Sequence, residues 1–296
     1  MTGPGTIYDL GYRPYEGPRL GRRGAVVAIL WDGVARVLGL RRRFRAKLLP
    51  WLLLLLAVLP AVAFVGFSFL LSTFAPEVDS PFGGHAEYFD LVGTLALLFV
   101  SLAAPELLVP DRRHGVLALY GSRPLLPRDY LAARAGALTI VLSFFLLVPQ
   151  LLLWVGFAAL STEGLVRALL ADVGSLPKIL AAAVVYVAGY GAPGLLLAGF
   201  GRRRAVVTGG YLALVLVGSG LAAAVTEAVA LPGHRFAALG ALVEHPIVVK
   251  DWIFGASNPS GIVGRAGFEP WVSALVITVL ASAAGIVLVR RYRRLL

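Results

Sequence analysis

Six long apolar stretches constrain what this chain can fold into more than any other feature. They cover residues 48–71, 91–109, 135–160, 179–200, 205–226 and 270–289. A helix rises 1.5 Å per residue, so about 20 apolar residues cross a hydrocarbon core about 30 Å thick. The chain is 58% hydrophobic, with a mean hydropathy of +0.83, which exceeds the apolar content of a globular domain. The sequence therefore predicts an all-α polytopic membrane protein whose six transmembrane helices lie within residues 48–296.

The arginines are divided unevenly between the links that join these stretches. If both termini face the cytoplasm, 22 of the 27 Lys and Arg residues lie inside and five lie outside. Cytoplasmic loops of membrane proteins carry such an excess. We therefore predict a multi-pass protein of the bacterial cell membrane with both termini cytoplasmic. The net charge of +11 then reflects topology and anionic lipid headgroups, and no nucleic-acid partner is expected.

Residues 1–47 form the predicted cytoplasmic N-terminal part. Residues 1–23 are rich in Gly, Pro and Tyr, and are either a floppy tail or a segment that docks on a partner. Residues 24–47 place apolar side chains near helical spacing, with Trp31 among them, and predict an amphipathic helix at the membrane surface. The basic cluster that follows either binds anionic lipids or only fixes the orientation. Its arginines are Arg41, Arg42, Arg43 and Arg45.

Residues 107–134, LLVPDRRHGVLALYGSRPLLPRDYLAAR, carry five arginines between two apolar stretches. Residues 114–120 can form a short helix that Gly121 and Pro124 then stop. A short, charged helix of this kind does not span a bilayer. We predict that it lies at the cytoplasmic surface, where a soluble partner can press on it.

The chain lacks the sequence motifs of an energy-converting or catalytic site. A phosphate-binding loop needs a Lys followed by Ser or Thr, but Leu, Ile and Asp follow the only three lysines. There is no cysteine, no H-E-x-x-H and no G-x-S-x-G. We therefore predict no catalytic, cofactor-binding or metal-binding residue. Glu106 is the one acid inside a predicted span, and it either pairs with Arg112 or Arg113 or contacts a substrate or gate.

The longest external link, residues 227–269, contains many apolar residues, which predicts short helices partly inserted into the outer interface. Small residues recur within the spans at positions where helices can pack closely. The pairs are Ala188 and Ala192, Gly218 and Ala222, and Ala281 and Gly285.

Residues 105–138, with D-R-R-x-G, V-L-x-L-Y, S-R-P and R-D-Y-L in order, resemble the ATP-binding-cassette exporter permeases of the type-2 group. The basic helix before the first span and the helical external link resemble that group in layout, and YDLGYRPYEGPRLGRR is similar to a segment of some actinobacterial members. The resemblance implies a permease dimer, of identical or different halves, bound to two copies of a cytoplasmic ATPase that carries ATP and Mg. It implies a translocation path lined mainly by the second and fifth spans. The residues that match the coupling segment are Asp111, Arg112, Arg113, Gly115, Leu117, Arg123, Pro124, Arg128 and Tyr130.

The expected function is export of an amphipathic or hydrophobic substrate, such as a lipid, drug or peptide, driven by ATP hydrolysis on a separate subunit. The chain itself is then not an enzyme. The alternative is a membrane scaffold or signalling partner of an ATPase without a cargo of its own. The sequence does not distinguish import from export.

Overall fold

The computed structural model describes Gly17 and residues 21–40, 44–75, 77–78, 84–122, 125–228, 233–256 and 259–295. Of the described residues, 84% are helical, and these residues form no strand. The helices are α1 (Gly21–Val37), α2 (Phe44–Phe74), α3 (His85–Arg113), α4 (Leu117–Gly121), α5 (Pro127–Ala159), α6 (Leu165–Ala171), α7 (Ser175–Phe200), α8 (Arg204–Leu212), α9 (Gly218–Ala228), α10 (Glu244–Phe254), α11 (Ile262–Arg265) and α12 (Pro270–Tyr292).

Six described helical segments are long and apolar enough to cross a membrane, which confirms the predicted number. They are α2, α3, α5, α7, the continuous α8–α9 and α12. The fifth segment contains one turn of π-helix, Ala213–Val217, that the sequence did not predict. The link of residues 201–203 between α7 and α8 makes the tight hairpin expected from its length.

The second span, α3, is the central helix. It packs against α2, α5, α7, α8 and α10, and most of its length is buried. Small residues allow this close packing, since a Cβ on Gly194 of α7 would lie 2.7 Å from Val100 of α3. The span α12 is not among the helices that surround α3, and it packs on α7. The end where α3 finishes, and where α5 and α8 begin, carries most of the arginines and is called the basic end below.

The first helix, α1, differs from the predicted surface helix. It ends at Val37, so the predicted helix over 24–47 is interrupted before α2 begins at Phe44. Its apolar face packs on α5 and α3 instead of facing lipid, with Ile29 and Val34 buried. Gly33 permits this contact because a Cβ there would lie 2.7 Å from the Ala137 Cβ.

The link between the fifth and sixth spans contains the predicted short helices, and it returns deep into the bundle. A 3₁₀-helix, His234–Gly240, runs back along α9, and α10 then packs against α7, α12 and α3. A Cβ on Gly189 of α7 would lie 2.6 Å from Pro246 of α10. Gly189 is 14 residues into α7, which is about 21 Å along it. The segment thus reaches the middle of the fourth span, further than the outer interface predicted for it.

Candidate coupling surface and the charge network beneath it

The short helix α4 joins α3 to α5 at the basic end. Gly115 precedes it with φ +68°, a left-handed conformation that favours glycine and ends α3. The Val116 N–H donates to the Asp111 carbonyl at 2.9 Å and closes this turn. Within α4, Leu117 is buried and Leu119 is 68% exposed. One side of α4 is therefore anchored to the protein, and the other presents an apolar side chain.

The structure confirms a short helix in this segment and changes its limits. The prediction ended the second span at residue 109 and gave the short helix residues 114–120. In the structure α3 continues through Pro110 to Arg113, because a proline inside a helix removes one hydrogen bond without necessarily ending it. Asp111, Arg112 and Arg113 therefore belong to the spanning helix and not to α4.

A buried carboxylate, Asp111, lies at the base of α4. It is 1% exposed and accepts hydrogen bonds from Arg134 Nη2 at 2.6 Å, Arg36 Nη1 at 2.5 Å and the Tyr130 hydroxyl at 2.9 Å. Asp32 pairs with the same two arginines, at 2.8 Å from Arg36 Nε and 3.0 Å from Arg134 Nη1. Two arginines thus face two carboxylates across α1, α3 and α5. Together with Tyr130 they form a set of five residues that is called the charge network: Asp32, Arg36, Asp111, Tyr130 and Arg134.

The charge network explains why two of the predicted coupling residues do not face a partner directly. Asp111 and Tyr130 are almost completely buried, and both are engaged inside the bundle. A charged group at this depth is stable only when it is paired. Their position ties α4 to three helices, so they can act on a partner only through α4 and its neighbours.

Arg112, another predicted coupling residue, holds the end of α7. Its guanidinium donates to three carbonyl groups there, and Arg291 of α12 donates to one of them at 3.0 Å. The last carbonyls of a helix lack helical partners and carry partial negative charge, so two arginines stabilise them. The carbonyls that Arg112 contacts belong to Ala198, Gly199 and Gly201.

Glu106 pairs with an arginine, but not with the neighbours that the sequence suggested. Its Oε1 accepts from Arg204 Nη1 at 2.5 Å, which links α3 to the start of α8. Both side chains line a cavity of about 350 Å³ next to Arg36 and Pro50. The prediction that Glu106 pairs with an arginine is confirmed, but the arginine is Arg204 and not Arg112 or Arg113. The gate or substrate role stays a prediction.

The remaining predicted residues fall into two groups. Arg113 and Arg128 are exposed at the basic end, and Trp31 is 59% exposed on the side of α1 that faces away from the protein. The others lie outside the described residues or have side chains that are not described. These are Arg123, Pro124, Arg41, Arg42, Arg43 and Arg45.

The end opposite to the basic end contains a buried lysine that the sequence did not single out. Lys250 of α10 is 1% exposed, and its Nζ lies 2.7 Å from Asp90 Oδ1 and 2.6 Å from Asp251 Oδ1. It also donates to the Ala86 carbonyl at 3.2 Å. The contact between Lys250 and Asp90 joins α10 to α3. Lys250 was predicted as one of five external charges, and its real partners are set by the fold of the returning segment.

Two further polar residues of α10 are buried where it reaches the middle of the bundle. The Glu244 carboxylate accepts from the Val263 N–H at 3.2 Å, and burial raises its pKa. His245 Nε2 donates to the Leu239 carbonyl at 3.0 Å, so its Nδ1 accepts from the Ser273 hydroxyl at 2.9 Å. Burial lowers the pKa of His245, which favours this neutral form.

The sequence contained a signal for the charged residues of the charge network, but that signal was not specific. Asp32, Arg36 and Arg134 lie within or beside apolar stretches, where an unpaired charge is costly. That cost predicts some partner for each of them. It does not predict which one, since the members of the charge network come from three helices.

No family model matches the chain, and no curated protein matches it. The function is therefore argued from the residues and their geometry.

Proposed function

We propose that this chain is the membrane-spanning permease subunit of an ATP-binding-cassette transporter, and that it exports an amphipathic or hydrophobic substrate. The observation that carries the proposal is that α4 is anchored to the protein on one side and exposed on the other. An exposed apolar side chain, Leu119, stands on a short helix between two spans, while Leu117 anchors its other side. In this proposal ATP and Mg bind to a separate cytoplasmic ATPase, because this chain contains no phosphate-binding loop.

In this proposal the ATPase presses on α4 when it closes on nucleotide. The displacement passes to α3 through the closed turn at Gly115, and to α1 and α5 through the charge network. Arg112 passes it to the end of α7. Helices that are tied together by buried, paired charges move as one body, and packed interfaces of this kind switch between discrete arrangements.

The basic end is cytoplasmic in this proposal, because cytoplasmic loops are the ones enriched in arginine. A second permease copy completes the transporter, and two ATPase copies bind the pair. The path runs between the copies along the fifth span, whose side chains Leu214, Val217 and Leu221 are exposed. The resemblance implied that the second span lines the path as well, but α3 is mostly buried within its own protomer and offers little free surface.

The test compares two substitutions of equally exposed residues at opposite ends. Leu119→Asp places a charge on α4, and Val166→Asp places one on α6, where the native side chain is 69% exposed. Leu119→Asp should abolish co-purification of the ATPase and ATP-dependent transport into inverted vesicles, and Val166→Asp should preserve both. Equal retention of the ATPase by Leu119→Asp and by the native chain would overturn the proposal.

Arg113→Gln provides a second measurement that does not disturb the buried residues, because Arg113 is exposed. It should weaken the response of ATP hydrolysis to transport substrates. Substitution of Arg112 is less informative, since its side chain holds the end of α7. ATP hydrolysis that responds to no lipid, drug or peptide would favour the scaffold function instead.

A further inference from the structure

A groove of about 510 Å³ runs along the outside of the bundle between α5, α7 and α12. Leu108 of α3 forms its floor, and small residues keep it open where larger ones would close it. The small residues are Ala188, Gly191 and Ala192 of α7 and Ala281, Ala284 and Gly285 of α12. Two of the small-residue pairs predicted for helix packing thus line a groove instead of a contact.

The dimensions of the groove restrict what can occupy it. On α5 its lining extends from Arg128 to Ser143, which is about 22 Å along the helix and more than the roughly 15 Å depth of one leaflet. A single extended chain can therefore lie along the whole length of the groove.

The chemistry of the lining excludes an extended peptide. Thr139 and Ser143 are the only hydroxyl groups among the described residues that line the groove. A peptide would lie there with most of its N–H and C=O groups unsatisfied, at several kcal/mol for each group. A hydrocarbon chain has no such groups, so the lining fits an acyl chain.

The basic end of the groove offers a donor to an anion. Arg128 lines the groove, is exposed and forms no ion pair with any described residue, because the neighbouring Asp129 is held by Arg22 at 2.7 Å. A phosphate at this end would pair with Arg128.

We propose that the groove binds one acidic phospholipid of the surrounding bilayer, with an acyl chain along α5 and the phosphate at Arg128. This site differs from the predicted surface cluster of residues 41–45, and it does not depend on the transport function. The lipid is held by the full chain whether or not an ATPase is bound.

The experiment uses the absence of native cysteine, which allows single labels. Thr139→Cys lies in the groove, and Ile140→Cys is its neighbour on the lipid-facing side, 41% exposed and outside the lining. Each variant is labelled with bimane in phosphatidylcholine nanodiscs and titrated with phosphatidylglycerol whose chains are brominated. Quenching at position 139 should reach its midpoint at about fivefold lower phosphatidylglycerol content than at position 140.

Two further variants test the headgroup and the chain separately. Arg128→Gln should remove the fivefold preference, whereas Arg293→Gln, an exposed arginine at the same end that does not line the groove, should keep it. Gly285→Phe should remove quenching at position 139, because a Cβ there meets nothing within 4 Å and its ring extends into the groove. Gly66→Phe, at an equally open glycine of α2, should not.

Equal midpoints at positions 139 and 140 would overturn the proposal, because the groove would then hold only ordinary annular lipid. Equal quenching by brominated phosphatidylcholine and by brominated phosphatidylglycerol would overturn it as well, because Arg128 would then select no headgroup. Both outcomes leave the transport function untouched, so failure of this site and failure of the transporter proposal are distinguishable.

Discussion

Replacing Asp111 with Asn tests whether the charge network holds the basic end together. The substitution keeps the size of the side chain and removes its charge. Two arginines then face one carboxylate, and Arg134, which is fully buried, keeps Asp32 at 3.0 Å as its one carboxylate partner among the described residues. Removing one partner from a buried ion pair costs about 3–5 kcal/mol, because the other charge stays buried without full compensation.

The matched control is Asp32→Asn, which makes the same chemical change at a residue that is 30% exposed. Water reaches Asp32, and Asp111 keeps both arginines, so we expect a loss of about 1 kcal/mol. The double variant Asp111→Asn, Arg134→Met removes the uncompensated charge. It should recover at least about 2 kcal/mol of what Asp111→Asn loses.

The assay is reversible unfolding of the purified chain in mixed micelles with increasing sodium dodecyl sulfate, followed by helical circular dichroism. Each variant gives a free energy of unfolding relative to the native chain. A loss of less than about 0.5 kcal/mol for Asp111→Asn would refute the reasoning, since surface changes produce effects of that size. Equal losses for Asp111→Asn and Asp32→Asn would also refute it.

Three further predictions use the same unfolding assay. Gly189→Ala should destabilise the protein by about 1–3 kcal/mol, because its Cβ would lie 2.6 Å from Pro246, whereas Gly66→Ala, at an open helical position, should be neutral or slightly stabilising. Lys250→Met should cost about 2 kcal/mol by removing the bond from α10 to α3, and increase hydrogen exchange in α10. Burial lowers the pKa of His245, so its contribution should be complete above about pH 6.5 and be lost as the pH falls below it, when the unfolded chain takes up a proton first. His245→Phe should reduce that pH dependence, and an unchanged slope below pH 6.5 would contradict the assignment.

The long elements could be predicted from the sequence because hydrocarbon thickness alone sets their length. All six predicted spans correspond to apolar helical segments, and the sixth begins at Pro270 in both the prediction and the structure. The ends of helices were less predictable. The second span passes Pro110 and ends at Arg113, just before the left-handed Gly115, a detail of backbone conformation that hydropathy does not report.

The candidate site was predicted less well than the spans. The sequence predicted a short helix in this segment, which the structure confirms, but it could not separate exposed from buried residues there. Leu119, an exposed apolar side chain of α4, was not among the predicted coupling residues, while Asp111 and Tyr130 are buried. The resemblance supplied a run of matching residues, and only packing against the neighbouring helices decides which side of that run faces outward.

The same arginines enter two questions at two stages, the orientation of the spans, which stays a prediction, and the pairing of charges, which the sequence did not predict. Orientation is set as each span inserts, when only the count of Lys and Arg near its ends matters and acidic residues contribute little. Pairing follows when the inserted helices pack, and it joins Arg36 to Asp111 across 75 positions of the chain. Arg22, Arg36, Arg134 and Arg204 thus count toward the predicted cytoplasmic excess and are nevertheless neutralised by carboxylates. The bias that predicts orientation therefore leaves a smaller set of unpaired arginines to meet partners and lipids, and Arg113 and Arg128 belong to that set.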